Sequence, residues 1–174
     1  MKIALSGLHS QGKTTLLNSL TDVDQFKTFT KVSSPTRTLQ QEGFTINEQG
    51  NETTQTLIMM QHYKNVVLHN KNAIFDRCAL DGIAYGLFFS KQIHQNNLNK
   101  LHEELFLNTI KHYDIIFYIE PELELKDDNT RSLDINFFNN VKLNFENVIQ
   151  TYNLNVLRVK GSIQERVDFI CNAV

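Results

Sequence analysis

Cysteine, proline and glycine are all scarce in this sequence: 174 residues hold two Cys, two Pro and seven Gly. Cys78 and Cys171 stand far apart and form no C-x-x-C pair, so neither a disulfide framework nor a zinc site is suggested. Reduced thiols in a cytoplasmic protein are the expectation. So few glycines and prolines leave no linker, repeat or low-complexity tract, and the length suits one domain over residues 1–174. No apolar run approaches the roughly twenty residues of a membrane helix, so no membrane partner is expected. The first apolar stretch ends too soon for a signal peptide. A formal charge of −2 provides no basic footprint for a large nucleic-acid surface. A small acceptor is therefore favoured over a polymer, though a local basic groove stays open, as does a homodimer.

What the chain does have is Gly7-Leu8-His9-Ser10-Gln11-Gly12-Lys13-Thr14-Thr15, a match to the phosphate-binding loop G-x-x-x-x-G-K-[ST]. Lys2–Ser6 before it reads as a buried strand, and Thr14–Leu20 after it as a helix. Strand, glycine loop and helix N-terminus together make an anion site. The glycines let the backbone curl its N–H groups inward, and the helix dipole adds positive charge. The motif assigns Lys13 to the β- and γ-phosphates and the Thr14 hydroxyl to Mg²⁺, with Gly7, His9, Ser10, Gln11, Gly12 and Thr15 completing the cradle. ATP and Mg²⁺ are the expected cofactors.

Further along, Phe26–Val32 alternates and reads as a second strand, stopped at Pro35. Thr36–Gln55 reads as a polar connecting stretch, and residues 53–70 as a helix with Met59, Tyr63 and Val66 in step. A short apolar strand, 72–76, ends in Asp76. Helices follow around Leu80–Phe88 and Leu98–Leu105. A strand at 113–119 is closed by Pro121, and a charged segment runs to Asp134. A helix carrying Phe138, Val141, Phe145 and Val148 precedes a strand at 155–159, and Ser162 caps a last helix. Apolar strands alternating with helices predict an α/β three-layer sandwich with a five-stranded parallel sheet. Its ligands should collect at the strand C-termini.

Asp76 stands at such an end, with Arg77 beside it. Phosphoryl transfer needs a cation on the phosphates and a carboxylate that orients Mg²⁺ or the attacking hydroxyl, so both are candidate catalytic residues and Asp76 a candidate metal ligand. Asp81 and Tyr85, four apart on the next helix, share a face that could line an acceptor pocket.

Gly-x-His-Ser-x-Gly-Lys-Thr-Thr followed by Asp76-Arg77-x-x-x-Asp81-x-x-Ala84-Tyr85 resembles the small P-loop kinase-like ATPases related to the ribosylnicotinamide kinase domain. It is also similar to thymidylate kinases, whose Asp-Arg motif is likewise followed by Ala-Tyr. The resemblance implies the P-loop NTPase fold of the nucleotide kinase type. It further implies an acceptor-side segment over about 33–70 and a lid over about 121–134. By it, Arg131 swings from the lid over the phosphates, Arg37 binds the acceptor phosphate, and Ser162 in the Gly161-Ser162 turn lies near the adenine. His9 and Ser10 replace the acidic loop residue usual in thymidylate kinases, which counts against a thymidylate acceptor. The implied activity is transfer of the γ-phosphoryl of ATP to a small nucleotide or nucleoside, a nucleoside monophosphate first among them. A kinase acting on a nucleic-acid end and an ATP-binding regulatory module are the alternatives. No Asn-Lys-x-Asp follows an apolar strand, so a guanine switch is not expected, and Asp76-Arg77 replaces the Asp-Glu of motor ATPases.

Overall fold

The computed structural model describes residues 1–90, 96–122 and 134–174, the side chains at 90 and 96–99 excepted. Five strands, β1 (Lys2–Ser6), β2 (Thr30–Val32), β3 (Ala73–Asp76), β4 (Ile115–Ile119) and β5 (Leu157–Val159), form one sheet in the order β2-β3-β1-β4-β5. Every pairing is parallel, with Ile3 beside Ile74 and Ile115, and Leu5 beside Asp76 and Phe117. Parallel strands need crossovers, and seven helices among the described residues include the ones that supply them: α1 (Lys13–Thr21), α2 (Pro35–Gln41), α3 (Glu52–Leu68), α4 (Ala79–Ser90), α5 (Asn96–Ile110), α6 (Ile135–Thr151) and α7 (Ile163–Ala173).

Strand periodicity of two sorts the core into two layers. Ile3, Leu5, Ile74, Phe117 and Ile119 face Leu16, Leu17 and Leu20 of α1 and Val167 and Ile170 of α7. Ala4, Phe75, Ile116 and Tyr118 face the other way, onto Met59, Leu80, Phe106 and Phe145 of α3 to α6. The α/β three-layer architecture is therefore the one the alternating pattern predicts. Caps explain several helix starts. The Asn51 side chain accepts from Thr54 N, Asp134 accepts from Asn136 N and Phe137 N, and Ser162 and Glu165 form a reciprocal capping box.

Three expectations are corrected. The second strand spans Thr30–Val32 only, because Asp24–Phe26 is a 3₁₀ turn and Phe26 and Phe29 pack edge to face at 5.3 Å. An alternating string can arise from a turn followed by a short edge strand. Residues 36–55 are not unstructured: they hold most of α2, a 3₁₀ turn at Asn47–Gln49 and the start of α3. Only Pro35 and Leu39 of α2 are buried, too few to print a helical period, and the usable signal was Pro35 at the first helical position. Finally, Tyr63 lies exposed, whereas Ile58, Met59, His62 and Val66 make the buried face of α3.

Candidate functional site

The site grows from the end of β1. Gly7 adopts φ +133, and a Cβ there would sit 2.6 Å from the carbonyl oxygen of Ile119 on β4. Only glycine lets the chain leave the sheet this close to its neighbour. The loop then coils through Ser10 (φ 64) to Gly12 (φ 76), which caps α1 without any side-chain hydrogen bond. The N–H groups of the first turn of α1 are left to a ligand, at the positive end of the helix. Lys13 is buried, its Nζ donating to Gly7 O at 2.8 Å and to Leu8 O across the loop. Ser10 Oγ and Ser34 Oγ are buried without hydrogen-bond partners and line the same cleft, of about 570 Å³. That volume is in the range of small-molecule sites. Gln11 is buried within the loop, and Thr15 is exposed on α1.

β3 lies next to β1, so its last residue reaches the loop. Thr14 Oγ1 donates to Asp76 Oδ2 at 2.7 Å, and Arg37 at the start of α2 donates from its NH2 group to Thr14 Oγ1 at 3.0 Å. A hydroxyl and a carboxylate at hydrogen-bonding distance are a hard oxygen pair. That suits Mg²⁺, which takes one or two protein oxygens and fills the rest with water and phosphate. Among the described residues no cluster of three or more His, Cys, Asp or Glu could hold a metal.

Asp81 and Tyr85 line a crevice beside the phosphate cleft, and their polar groups are also engaged within the chain. α4 is buried along nearly its whole length, and both oxygens of Asp81 are engaged within the chain. They accept from Ser6 Oγ at 2.7 Å, Cys78 N at 3.1 Å, Gly7 N at 3.3 Å and Arg77 NH1 at 2.9 Å. Asp81 clamps α4 to the root of the phosphate loop. Tyr85 Oη accepts from His9 N and pairs with His9 Nδ1, each at 2.9 Å, and the Arg77 guanidinium stacks on its ring at 5.3 Å. His9 in turn packs on Phe137 and Phe138 of α6. Arg77 adopts φ 77, uncommon for a side chain of its size. Burial opposes its charge, but Tyr85, Asp81 and Asp76 outweigh that and hold the guanidinium pKa above its ordinary value.

On the other flank, the Gly161-Ser162 turn approaches the loop through Arg166. Its Nε donates to Gly161 O and its NH1 to Gln11 O, both at 2.7 Å, and Glu122 Oε2 accepts from Gly161 N at 2.6 Å. Ser162 itself is occupied in the capping box. Arg131, with positions 123–133 of the expected lid, lies outside the described residues.

Sequence reasoning missed His62 and Gln55 on α3. The signal was available: seven residues apart, they share a helix face with Met59. His62 is 2% exposed, and its Nε2 has no hydrogen-bond partner. Burial, then the Arg77 charge, hold its pKa down at about 3, with Asp76 offsetting part of this. The unfolded chain takes up that proton near pH 6.5, and the folded chain does not until near pH 3. Stability should thus be insensitive to His62 above pH 6.5 and fall by about 1.4 kcal/mol per pH unit below it. Between pH 7 and pH 5 the loss is about 2 kcal/mol, and His102, also lowered by burial, acts in the same direction. Urea unfolding at the two pH values tests this; a slope unchanged in His62→Leu would refute it.

A family model described as an AAA domain matches residues 2–166. A comparison with curated proteins finds no match. Among solved structures, NadR protein in complex with NR superposes with a TM-score of 0.76 at 16% identity, covering 98% of this chain. The chain spans about half of that protein's length, 50%. Deoxyadenosine kinase from M. mycoides with bound dCTP gives 0.66 at 16% identity, covering 99% of this chain and 98% of the other. Thymidylate kinase from Candida albicans gives 0.67 at 18%, covering 99% and 89%. The family model covers nearly the whole chain and these structures superpose along its length, so the chain belongs to the AAA-domain family, with the fold of the P-loop nucleotide kinases.

Proposed function

We propose that this chain is an ATP- and Mg²⁺-dependent phosphotransferase whose acceptor is a small nucleotide, a nucleoside monophosphate. The observation that carries the reading is the Asp76–Thr14–Arg37 chain of contacts at 2.7 and 3.0 Å beside Lys13. It puts a carboxylate, a hydroxyl that suits Mg²⁺ and an arginine fork within hydrogen-bonding distance in one cleft.

The chemistry is mostly positioning and charge stabilisation. The α1 N-terminus and loop amides hold the β- and γ-phosphates, and Lys13 turns from the Gly7 and Leu8 carbonyls to meet them. Thr14 and Asp76 would hold Mg²⁺, which when bound neutralises charge on the phosphate oxygens. The acceptor oxygen attacks the γ-phosphorus in line as the bond to the β–γ bridging oxygen breaks. The attacking phosphate oxygen of a monophosphate is already largely ionised at neutral pH, so no proton has to be removed. Asp76 would orient Mg²⁺, and ADP leaves. Arg77, braced by Asp81 and Tyr85, sets the cation beside the transferring group. Arg37 suits a phosphate monoester because its planar fork engages two oxygens at once.

The test is ADP release from Mg·ATP with a panel of nucleosides, nucleoside monophosphates and short oligonucleotides. One small monophosphate should stimulate strongly. Arg37→Ala should raise its KM by roughly 10- to 100-fold, the loss of a charge-assisted bidentate contact. Stimulation by oligonucleotides alone, or by none of the panel, would overturn the reading.

A further inference from the structure

The largest side chain fully buried among the described residues is a charged one, Arg166, 1% exposed and fourth in α7. The local sequence places it there. Ser162 and Glu165 close the capping box that fixes the helix start. Gly161, at φ +92, leaves room for Glu165 Oε2, which a Cβ would meet at 2.7 Å. Helical side chains lean back toward the N-terminus, and Arg166 Nε accordingly reaches Gly161 O at 2.7 Å.

Burying a guanidinium is unfavourable unless its donors and its charge are met. Here carbonyl oxygens meet most of that demand. Nε and NH1 take Gly161 O and Gln11 O, each at 2.7 Å. The carboxylate paired with it, Glu122, is 40% exposed and stands at 3.5 Å. An apolar side chain of similar volume would fill the space without this cost, so core filling is not what the arginine adds.

What it adds lies on the far side of one peptide. The Gln11 carbonyl and the Gly12 N–H belong to one planar trans unit and point in opposite directions. Gln11 and Gly12 both line the phosphate cleft, and Arg166 does not. A cation on the carbonyl from behind fixes the peptide plane and polarises the N–H at its other end. Residue 11 is held a second time through its side chain. Glu122 N donates to Gln11 Oε1 at 2.9 Å, while Glu122 Oε2 accepts from Gly161 N at 2.6 Å.

We infer that Arg166 is a positioning residue for polyphosphate binding. Without touching the ligand, it sets the plane of the Gln11–Gly12 peptide and adds positive charge behind the phosphate loop. This rests on the loop binding a nucleoside triphosphate, as the proposed function has it, and on no particular acceptor.

The test uses Arg166→Met, which keeps an unbranched stem and removes the charge, and Arg166→Lys, which keeps the charge without the fork. Wild type and variants are titrated calorimetrically with Mg·ATP and with Mg·tripolyphosphate, below the thermal transition of each protein. Arg166→Met should weaken both ligands by the same factor, about tenfold or more, as the loss of one charge-assisted hydrogen bond. Arg166→Lys should recover part of that loss. In isotope-labelled protein without ligand, the Gly12 amide resonance should move in Arg166→Met, because the hydrogen bond on the preceding carbonyl is gone. Unchanged affinity for both ligands in a folded variant would overturn the inference. So would a loss confined to ATP with tripolyphosphate unaffected, which would leave Arg166 a support of the Gly161 turn alone. Should Arg166→Met fail to fold, Arg166→Lys decides: wild-type tripolyphosphate affinity together with an unmoved Gly12 amide would overturn the inference. No binding of either ligand by the wild type removes the nucleotide reading of the loop and this inference with it.

Discussion

Asp76→Asn is expected to slow ADP formation by about 10³-fold while leaving ATP affinity within about tenfold. The substitution keeps size and shape, so the amide oxygen it introduces can still accept from Thr14 Oγ1, as the carboxylate does at 2.7 Å. What it loses is the negative charge that, under the proposed function, would orient Mg²⁺ beside Thr14. Under the proposed function, ground-state binding would rest mainly on the loop amides and Lys13, which the change does not touch. An interaction realised mainly in the transition state lowers kcat rather than raising KM. Asp76 is almost fully buried at the end of β3, and removing its charge takes one anion from beside Arg77. Asp81 and Tyr85 still hold that guanidinium, so the fold should persist. Steady-state ADP release and calorimetric ATP binding on the same preparation decide the matter. Turnover within tenfold of the wild type would remove Asp76 from the catalytic machinery.

Gly7→Ala should have the largest structural effect of any single methyl added to the loop. It meets two obstacles at once: φ +133, a conformation L-residues rarely adopt, and a backbone oxygen of Ile119 at 2.6 Å. Neither a side-chain rotation nor a local shift relieves the contact, because Ile119 N–H and C=O belong to the sheet. The loss is expected at roughly 3 kcal/mol or more, combining strain and overpacking. The same displacement disturbs Gly7 O, which accepts from Lys13, and Gly7 N, which donates to Asp81, so ATP binding should fail as well. Gly43→Ala is the control. Gly43 has φ +91, but nothing lies within 4 Å of its Cβ position, so it carries strain without the clash. Its cost should be about 1–2 kcal/mol, with ATP binding retained. Urea unfolding of the two variants separates these terms; equal losses would mean that the approach to Ile119 is not what requires glycine at position 7.

Much of the candidate site was legible in the chain because it is local. Gly7 to Thr14 is one continuous motif, and Asp76 is the polar end of a four-residue apolar strand. Arg37 was placed on the acceptor side by resemblance, and the structure brings it to Thr14. The acceptor side was harder to read. α2 buries only Pro35 and Leu39, and a helix so short and polar leaves no period. Asp81 and Tyr85 were found as residues and do line a crevice, but their engagement with Ser6, Gly7, His9 and Arg77 was not legible. An i, i+4 pair says that two side chains share a face, not that the face is open. In α4 that face is packed against the loop root and α6.

What the sequence alone determined is set by short-range physics: strand and helix periods, a glycine loop between them, and a parallel α/β architecture that follows from their alternation. What only the tertiary structure decided is which distant groups meet. The order β2-β3-β1-β4-β5 brings Asp76 to Thr14 across 62 positions, and helix packing brings Arg166 to Gln11 across 155. His62 reaches the surroundings of Arg77 only because Gly82 lets α3 settle onto α4. Contacts of that span depend on the sum of many burials and on which helix faces find each other. No window of sequence contains that sum.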